Sequence, residues 1–141
     1  MAGNGRGQLL LVEDEPVLRR LIADFLRGEG YEVIEAADGF EGASIYADHP
    51  YFDLVLLDLN LPFLSGVDVC RRIKAMRPSQ PVLICSAAIL DAHIVALHEM
   101  KVDQFLTKPY HPLDLLDRIH RELSRPSSGR VTRTMVGSVL A

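Results

Sequence analysis

Short apolar runs alternate five times with longer segments in which apolar residues recur every three or four positions, and this alternation limits the folds open to the chain. The short runs lie at 8–13, 31–35, 53–58, 81–86 and 103–107. Short leucine-rich or β-branched runs are typical of strands, whereas a spacing of three to four is typical of helices. The pattern therefore predicts an α/β fold: a five-stranded parallel sheet, doubly wound, with helices on both faces.

Residues that favour helix starts precede four of the five helical segments. Pro16 and Pro112 suit first helical positions, and Asp38 and Ser65 suit N-caps. The fourth helix is expected over 89–100. The apolar helix faces are expected to carry Val17, Leu18, Leu21, Ile22, Phe25 and Leu26, then Ala43, Tyr46 and Ala47, then Val69, Cys70, Ile73 and Met76, and finally Leu113, Leu116, Ile119 and Leu123.

The charge of this single-domain chain is unevenly distributed. All nineteen acidic residues lie in 9–123, together with eleven of the fifteen Lys and Arg. An acidic body repels phosphates, and the bases in 71–77 have the spacing of one solvated helix face, so direct nucleic-acid binding is not expected. We predict a folded body over 8–123, an N-terminal extension over 1–7 and a flexible tail over 124–141.

The cysteines and the short apolar runs indicate a cytoplasmic protein without membrane contact. Cys70 and Cys85 lie among apolar residues, which favours buried thiols over a disulfide or a metal pair. No apolar run approaches the roughly eighteen residues that span a bilayer, and the N-terminus lacks a signal-peptide pattern.

The histidines share no metal-ligand spacing and are expected at the surface; they are His49, His93, His98, His111 and His120.

Polar residues follow four of the expected strands, and carboxyl ends of parallel strands share one edge of a sheet. These residues are Glu13, Asp14 and Glu15 after the first strand, Asp58 and Ser86 at the ends of the third and fourth, and Lys108 after the fifth. Crowded carboxylates need protons or a cation, and Mg²⁺ suits oxygen ligands of this kind. A cation, a lysine and a hydroxyl around one carboxylate suit a phosphoryl group that this carboxylate accepts.

Four stretches, in this order, resemble bacterial response-regulator receiver domains. They are LLLVEDEP (9–16), DLVLLDLNLPFLSG (53–66), PVLICSAA (81–88) and DQFLTKPYHP (103–112), and the resemblance spans 8–123. It implies the flavodoxin-like (βα)5 fold, Mg²⁺ or Mn²⁺, and an aspartyl phosphate donated by a sensor histidine kinase or histidine phosphotransfer protein. The protein would be a single-domain regulator, or a receiver cut from a larger regulator or hybrid kinase, with an unknown downstream protein target.

The resemblance also assigns roles at the acidic edge. Asp58 would be the phosphoacceptor. Glu13, Asp14, Asp58 and the backbone carbonyl of Asn60 would hold Mg²⁺, with Glu13 acting through a water. The longer Glu13 stands where the family often has a second aspartate.

Further roles fall on the last two strands. Ser86 and Lys108 would bind phosphoryl oxygens, and the bond before Pro109 would be cis. Ser86 and Phe105 would form a switch that changes the face made by helix four, strand five and helix five. The protein is expected to be a monomer or a weak homodimer through that face. Phe105 replaces a frequent tyrosine, so it can become buried but cannot donate a hydroxyl hydrogen bond.

Two departures from the family pattern lie near these roles. Residues 100–102 (MKV), in the loop before strand five, replace the small Gly-Ala pair that is frequent in the family. Ala88, two residues past Ser86, cannot orient an attacking water. We therefore hypothesise slow autodephosphorylation. A short half-life of the phosphoryl group that does not change when Ala88 is replaced by a polar residue would contradict this hypothesis.

Several alternatives remain beside the phosphoacceptor. Glu15 is expected to act only as a first-turn acid beside the helix dipole. A flavin enzyme would need a phosphate-binding loop where the chain has 13–15, and an aspartyl phosphatase would need an acid where it has Asn60, so the chain is not expected to be an enzyme. A pseudo-receiver that binds proteins without phosphorylation is the remaining alternative.

Overall fold

The structure, a computed structural model, describes residues 5–125, and its elements alternate between strand and helix as predicted. The strands are β1 (Gly7–Val12), β2 (Tyr31–Ala36), β3 (Leu54–Leu57), β4 (Val82–Ser86) and β5 (Phe105–Thr107). The helices are α1 (Pro16–Gly28), α2 (Gly39–Asp48), α3 (Gly66–Met76), α4 (Asp91–Glu99) and α5 (Pro112–Ser124). Of the predicted extension over 1–7 and the predicted tail over 124–141, residues 1–4 and 126–141 lie outside the described residues. Gly7 belongs to β1, and Ser124 belongs to α5.

All five strands are parallel and form one sheet in the order β2-β1-β3-β4-β5. The chain reverses its direction of winding after β2, so β1 and β3 lie side by side near the centre. The strand β5 is an edge strand that pairs with β4 alone, from Phe105 to Thr107, and it is shorter than the predicted 103–107. This architecture confirms the doubly wound parallel sheet.

Four helices begin where their capping residues predict. The side chains of Glu15, Asp38 and Ser65 accept hydrogen bonds from backbone N–H groups in the first turns of α1, α2 and α3. The imidazole of His111 does the same for α5, where its Nδ1 accepts from the Leu113 N–H at 3.0 Å. The helix α4 lacks such a cap and is shorter than the predicted 89–100.

The sheet separates two apolar layers. The layer under α1 and α5 contains Leu9, Leu11, Ile22, Leu26, Leu56, Leu83, Leu115 and Ile119. The layer under α2, α3 and α4 contains Leu10, Val12, Tyr46, Leu57, Val69, Ile73, Ile84 and Leu97. Because β1, β3 and β4 are covered on both faces, these strands need apolar residues at almost every position.

Several helix positions predicted to face inward are exposed. Val17 and Leu21 on α1 point to solvent, because the apolar stripe of this helix is wider than the side that meets the sheet. Leu113 is also exposed and Leu115, which the prediction omitted, is buried in its place. Met76 is exposed because α3 ends at that residue and the chain turns into the extended Arg77. Ala47 on α2 is exposed as well.

The remaining predictions about side chains have clear outcomes. Cys70 and Cys85 are free and buried, as expected. None of the five histidines is buried, and none belongs to a group of potential metal ligands within residues 5–125. Over the same range, no helix is both long enough and apolar enough to cross a membrane.

Candidate functional site

The parallel register places the ends of four strands at one edge of the sheet. Val12 lies beside Leu57, Leu57 beside Ile84, and Ser86 beside Thr107. The residues that follow these positions, from Glu13 to Lys108, therefore converge at the carboxyl edge.

Three carboxylates meet at this edge. Glu13, Asp14 and Asp58 each offer one oxygen, and these oxygens all lie within 4.8 Å of one another. Glu13 and Asp58 are buried, whereas Asp14 is exposed. Carboxylates this close repel one another unless a cation or a proton lies between them. The geometry thus fits a divalent cation with oxygen ligands, which would gain access from the side of Asp14.

Lys108 places a positive charge between two of these carboxylates. Its Nζ donates a hydrogen bond to Asp58 Oδ2 at 2.8 Å and a second, shorter one to Glu13 Oε1. Burial alone would lower the pKa of Lys108, but the hydrogen bonds and charges of Asp58 and Glu13 outweigh it and raise this pKa above the usual value. Lys108 is therefore a firmly charged ammonium at neutral pH.

Asn60 and Ser86 complete the inner part of the site. The backbone N–H of Asn60 donates to Asp58 Oδ1 at 3.1 Å, so both oxygens of Asp58 have a donor. The Asn60 side-chain amide donates to Ser86 Oγ at 3.3 Å. Ser86 is fully buried, and its backbone carbonyl accepts from the Lys108 N–H at 3.0 Å. The sequence motifs predict Ser86 and the Asn60 backbone at this site, but not this amide contact.

The predicted switch residue Phe105 is the first residue of β5, and the predicted cis proline, Pro109, lies two residues after the end of this strand. Phe105 is half-buried and packs against the layer under α2, α3 and α4. The peptide bond between Lys108 and Pro109 is cis. Tyr110 packs against the opposite layer, and burial raises the pKa of its hydroxyl far above the usual value. No role for Tyr110 was predicted from the sequence.

Glu15 lies apart from the carboxylate cluster. Its Oε1 accepts a hydrogen bond from the Leu18 N–H at 2.7 Å, which caps α1. The backbone N–H of Glu15 donates to Glu13 Oε2 at 3.1 Å, and this contact holds the Glu13 side chain toward the site. The side chain of Glu15 thus lies at the start of α1, where it was expected, while its backbone N–H contacts Glu13.

Gly66 packs against the backbone of Asp58 and Leu59, a close approach that the sequence pattern did not predict. A Cβ atom at this residue would lie 2.2 Å from the backbone oxygen of Asp58 and 2.6 Å from the Cα of Leu59. Only glycine lets the first turn of α3 come this close to the loop. The sequence signal that could have found it is a glycine directly after the Ser65 cap, where helix propensity disfavours glycine.

A doubly wound parallel sheet with a carboxylate cluster and a lysine at its carboxyl edge places the chain in the class of α/β proteins whose ligand sites lie beyond the carboxyl ends of the strands. Within this class, the family model of the response regulator receiver domain matches residues 9–120. The chain belongs to this family, which functions in two-component signalling, and the resemblance stated from the four motifs is confirmed.

Individual relatives agree with this assignment. The chain is 40% identical over 117 residues to the sensory transduction protein RegX3 of Mycobacterium tuberculosis, covering 83% of this chain and 51% of the relative. It is 32% identical over 135 residues to the DNA-binding response regulator MtrA of Mycolicibacterium smegmatis, covering 95% and 58%. The chain thus spans about half the length of the curated relatives it matches.

Solved receiver domains match the described fold along most of their length. The non-phosphorylated HemR receiver domain of Leptospira biflexa has a TM-score of 0.79 and 30% sequence identity. The match covers 85% of this chain and 96% of the HemR chain. The similarity therefore extends over the whole receiver unit.

Proposed function

We propose that the protein accepts a phosphoryl group on Asp58 from a sensor histidine kinase or a histidine phosphotransfer protein, in a reaction that needs Mg²⁺. The observation that carries this proposal is the meeting of Asp58 with Glu13, Asp14 and Lys108 at one edge of the sheet. The buried Asp58 carboxylate thus supplies a nucleophilic oxygen, and the Lys108 ammonium places a fixed positive charge beside it.

The transfer joins the Asp58 carboxylate to phosphorus. An Asp58 oxygen attacks the phosphorus of the donor's phosphohistidine in line with the P–N bond. The new O–P bond gives an acyl phosphate, the P–N bond breaks, and its electron pair stays on the imidazole nitrogen, which takes up a proton. Each Asp58 oxygen accepts one hydrogen bond, from Lys108 or from the Asn60 N–H, and keeps a second lone pair for the attack.

The metal in this proposal is held by Glu13, Asp14, Asp58 and the backbone carbonyl of Asn60. The clustering of the three carboxylate oxygens fits a small divalent ion, and Mn²⁺ would bind the same donors. When bound, the ion neutralises negative charge on the phosphoryl oxygens.

Lys108 and Ser86 bind the transferred group. The Lys108 ammonium moves from the carboxylates to a phosphoryl oxygen, which carries more negative charge than either carboxylate once the acyl phosphate forms. The Ser86 hydroxyl currently accepts from the Asn60 amide, so its own hydrogen remains available to donate to a second phosphoryl oxygen.

Occupation of the site then changes the face made by α4, β5 and α5. Ser86 is fully buried on β4, and Phe105 is half-buried on the neighbouring β5, so a shift of Ser86 toward the site leaves space that Phe105 can fill. Exposed apolar side chains at the start of α4, namely Leu90, Ile94 and Val95, offer that face to a downstream protein or a second copy.

The donor protein must contact the rim of the site, because Asp58 is buried and its oxygen has to touch phosphorus. Val17 and Leu21 are exposed apolar residues of α1, the helix that begins directly after Asp14 and Glu15. This position makes the start of α1 a suitable surface for the donor.

The DNA-binding activity of a relative need not belong to the part of that relative that this chain matches. MtrA is a DNA-binding response regulator, and the chain covers 58% of that relative. We propose that the residues described here act through protein contacts in the cytoplasm, without direct nucleic-acid binding, either as a single-domain regulator or as the receiver part of a larger protein.

The test is intact-mass measurement after incubation with Mg²⁺ and a small-molecule donor such as acetyl phosphate. Wild type and Asp53→Asn should gain the mass of one phosphoryl group, whereas Asp58→Asn should gain none. Asp53 is a matched control, because it flanks the other end of β3 and is exposed. If wild type gains no phosphoryl group with Mg²⁺ present, the phosphoacceptor function is refuted and the pseudo-receiver alternative replaces it.

A further inference from the structure

We infer that Arg19 is a positioning residue for the Mg²⁺ site, an inference that rests on the metal site of the proposed function. The guanidinium of Arg19 fixes the peptide group that joins Glu13 to Asp14, and Glu35 holds this guanidinium in place.

The contact of Arg19 with the end of β1 is direct. Its Nη1 donates to the backbone carbonyl of Glu13 at 2.9 Å, and its side chain is only 19% exposed. On the other side of the same residue, the Glu13 N–H donates to the carbonyl of Ala36 at 3.1 Å. The main chain of Glu13 is therefore tied to α1 on one side and to β2 on the other.

Glu35 on β2 is the anchor of Arg19. Its carboxylate is 14% exposed and lies 3.3 Å from Arg19 Nε, 3.4 Å from Arg20 Nε and 3.1 Å from Arg27 Nη1. Arg27 is itself held, because its Nη2 donates to the Val33 carbonyl at 2.8 Å. A carboxylate shared by three guanidinium groups has little freedom, so the orientation of Arg19 is well defined.

Asp14 is the ligand most dependent on this arrangement. Glu13 and Asp58 are held by Lys108, but no hydrogen bond or ion pair to the Asp14 side chain is present within residues 5–125. The position of the Asp14 carboxylate is therefore set by its own backbone. A rotation of the peptide group before Asp14 would move the Asp14 carboxylate oxygen away from the carboxylate oxygens of Glu13 and Asp58.

Positioning and simple electrostatics predict opposite effects when Arg19 is removed. Arg19 carries a positive charge near a cation site, so its loss should strengthen Mg²⁺ binding if charge alone mattered. If Arg19 positions the ligands, its loss should weaken binding. Groups that orient metal ligands typically change affinity by about 10-fold or more when they are removed.

Arg20 provides a matched control on the same helix. It carries the same charge and also pairs with Glu35, but it is 67% exposed and has no hydrogen bond to the Glu13 backbone. Arg20→Ala therefore removes the charge and the Glu35 contact without releasing the peptide group. Arg19→Lys keeps the charge and can still donate to the Glu13 carbonyl, but it cannot hold Glu35 at the same time.

The experiment measures Mg²⁺ binding to the full chain by calorimetry, with MgCl₂ as the only ligand. We expect Arg19→Ala to raise the dissociation constant about 10-fold, Arg19→Lys to recover part of this loss, and Arg20→Ala to leave the constant equal or lower. In metal-free NMR spectra, the amide resonances of Asp14 and Glu15 should shift in Arg19→Ala and not in Arg20→Ala. Thermal unfolding checks that each variant is folded, and Arg19→Lys carries the test if Arg19→Ala is not.

The outcomes separate this inference from the proposed function. Two results would overturn the positioning role and leave the phosphoacceptor proposal intact. In the first, wild type binds Mg²⁺ and Arg19→Ala has an equal or lower dissociation constant. In the second, Arg19→Ala and Arg20→Ala weaken Mg²⁺ binding equally. If wild type itself binds no Mg²⁺, the metal site is refuted and the positioning role with it.

Discussion

The Lys108 ammonium lies 2.8 Å from Asp58 Oδ2 and also contacts Glu13, so one lysine neutralises two buried carboxylates across the carboxyl edge of the sheet. A divalent ion at this edge would share those same two carboxylates. Lysine and metal therefore compete for negative charge, and their competition can be measured.

Lys108→Met should destabilise the metal-free protein by about 3 kcal/mol at neutral pH, because it leaves two buried carboxylates without their cation. Added Mg²⁺ should then stabilise this variant more than it stabilises wild type, since the ion supplies the missing charge. Chemical denaturation with and without MgCl₂ measures both effects. Lys101→Met is the control, because Lys101 is exposed and pairs with no carboxylate in residues 5–125. A variant that gains no more from Mg²⁺ than wild type would contradict the competition.

Gly66→Ala should destabilise the protein by about 2 kcal/mol and weaken Mg²⁺ binding, because the new methyl group would overlap the backbone of Asp58 and Leu59. Denaturant titration and calorimetry with MgCl₂ measure the two losses. At Gly28, the last residue of α1, a Cβ atom would meet nothing within 4 Å. Gly28→Ala should therefore be neutral or stabilising by about 0.5 kcal/mol. Equal effects of the two substitutions would refute the close approach at Gly66.

Ala88→Asn should shorten the lifetime of the phosphorylated protein several-fold, because an amide near the phosphoryl group can orient an attacking water and a methyl group cannot. Loss of the phosphoryl mass with time measures the lifetime. Ala87→Asn is the control, since Ala87 is the neighbouring residue and is likewise exposed. A short wild-type lifetime that neither substitution changes would contradict slow autodephosphorylation.

Alkaline pH should destabilise the fold through its buried thiols. Burial raises the pKa of Cys70 from 9.0 to about 11 and that of Cys85 to about 12. The unfolded chain loses these protons near pH 9 while the folded protein keeps them, so the free energy of unfolding falls as the pH rises above 9. The slope is about 1.4 kcal/mol per pH unit for each thiol.

The double variant Cys70→Ala, Cys85→Ala should show a shallower decline between pH 9 and 11 in denaturant titrations. The raised pKa values of Lys108, Tyr31 and Tyr46 act in the same direction at higher pH and remain in the variant. In wild type at pH 8, both thiols should resist alkylation until the protein is unfolded. Rapid labelling of the folded protein would show that the thiols are accessible.

Local signals predicted the order and starts of the elements well. Asp38 and Ser65 cap helices through hydrogen bonds to residues three positions later, which can be inferred from a short stretch of chain. The placing of Glu13, Asp58 and Lys108 at one edge followed equally from the parallel alternation, because each residue comes directly after a strand.

The features that sequence reasoning missed depend on distant partners. Val17 and Leu18 are equally apolar neighbours, and only the position of the sheet decides that Val17 is exposed. From the sequence alone, Glu35 is indistinguishable from an ordinary solvated glutamate. In the fold, three arginines of α1 pair with its carboxylate. Nothing in the spacing of these residues encodes the contact of Arg19 with the Glu13 carbonyl.

The sheet divides the apolar interior into two layers, so substitutions in one layer act largely independently of the other. Adjacent positions of β1 supply different layers: Leu9 and Leu11 pack under α1 and α5, whereas Leu10 and Val12 pack under α2, α3 and α4. Side chains in separate layers share few neighbours, so the energetic effects of substitutions in the two layers should add. A lineage can therefore remodel the helices on one side to suit a new partner while the helices on the other side keep their ancestral packing.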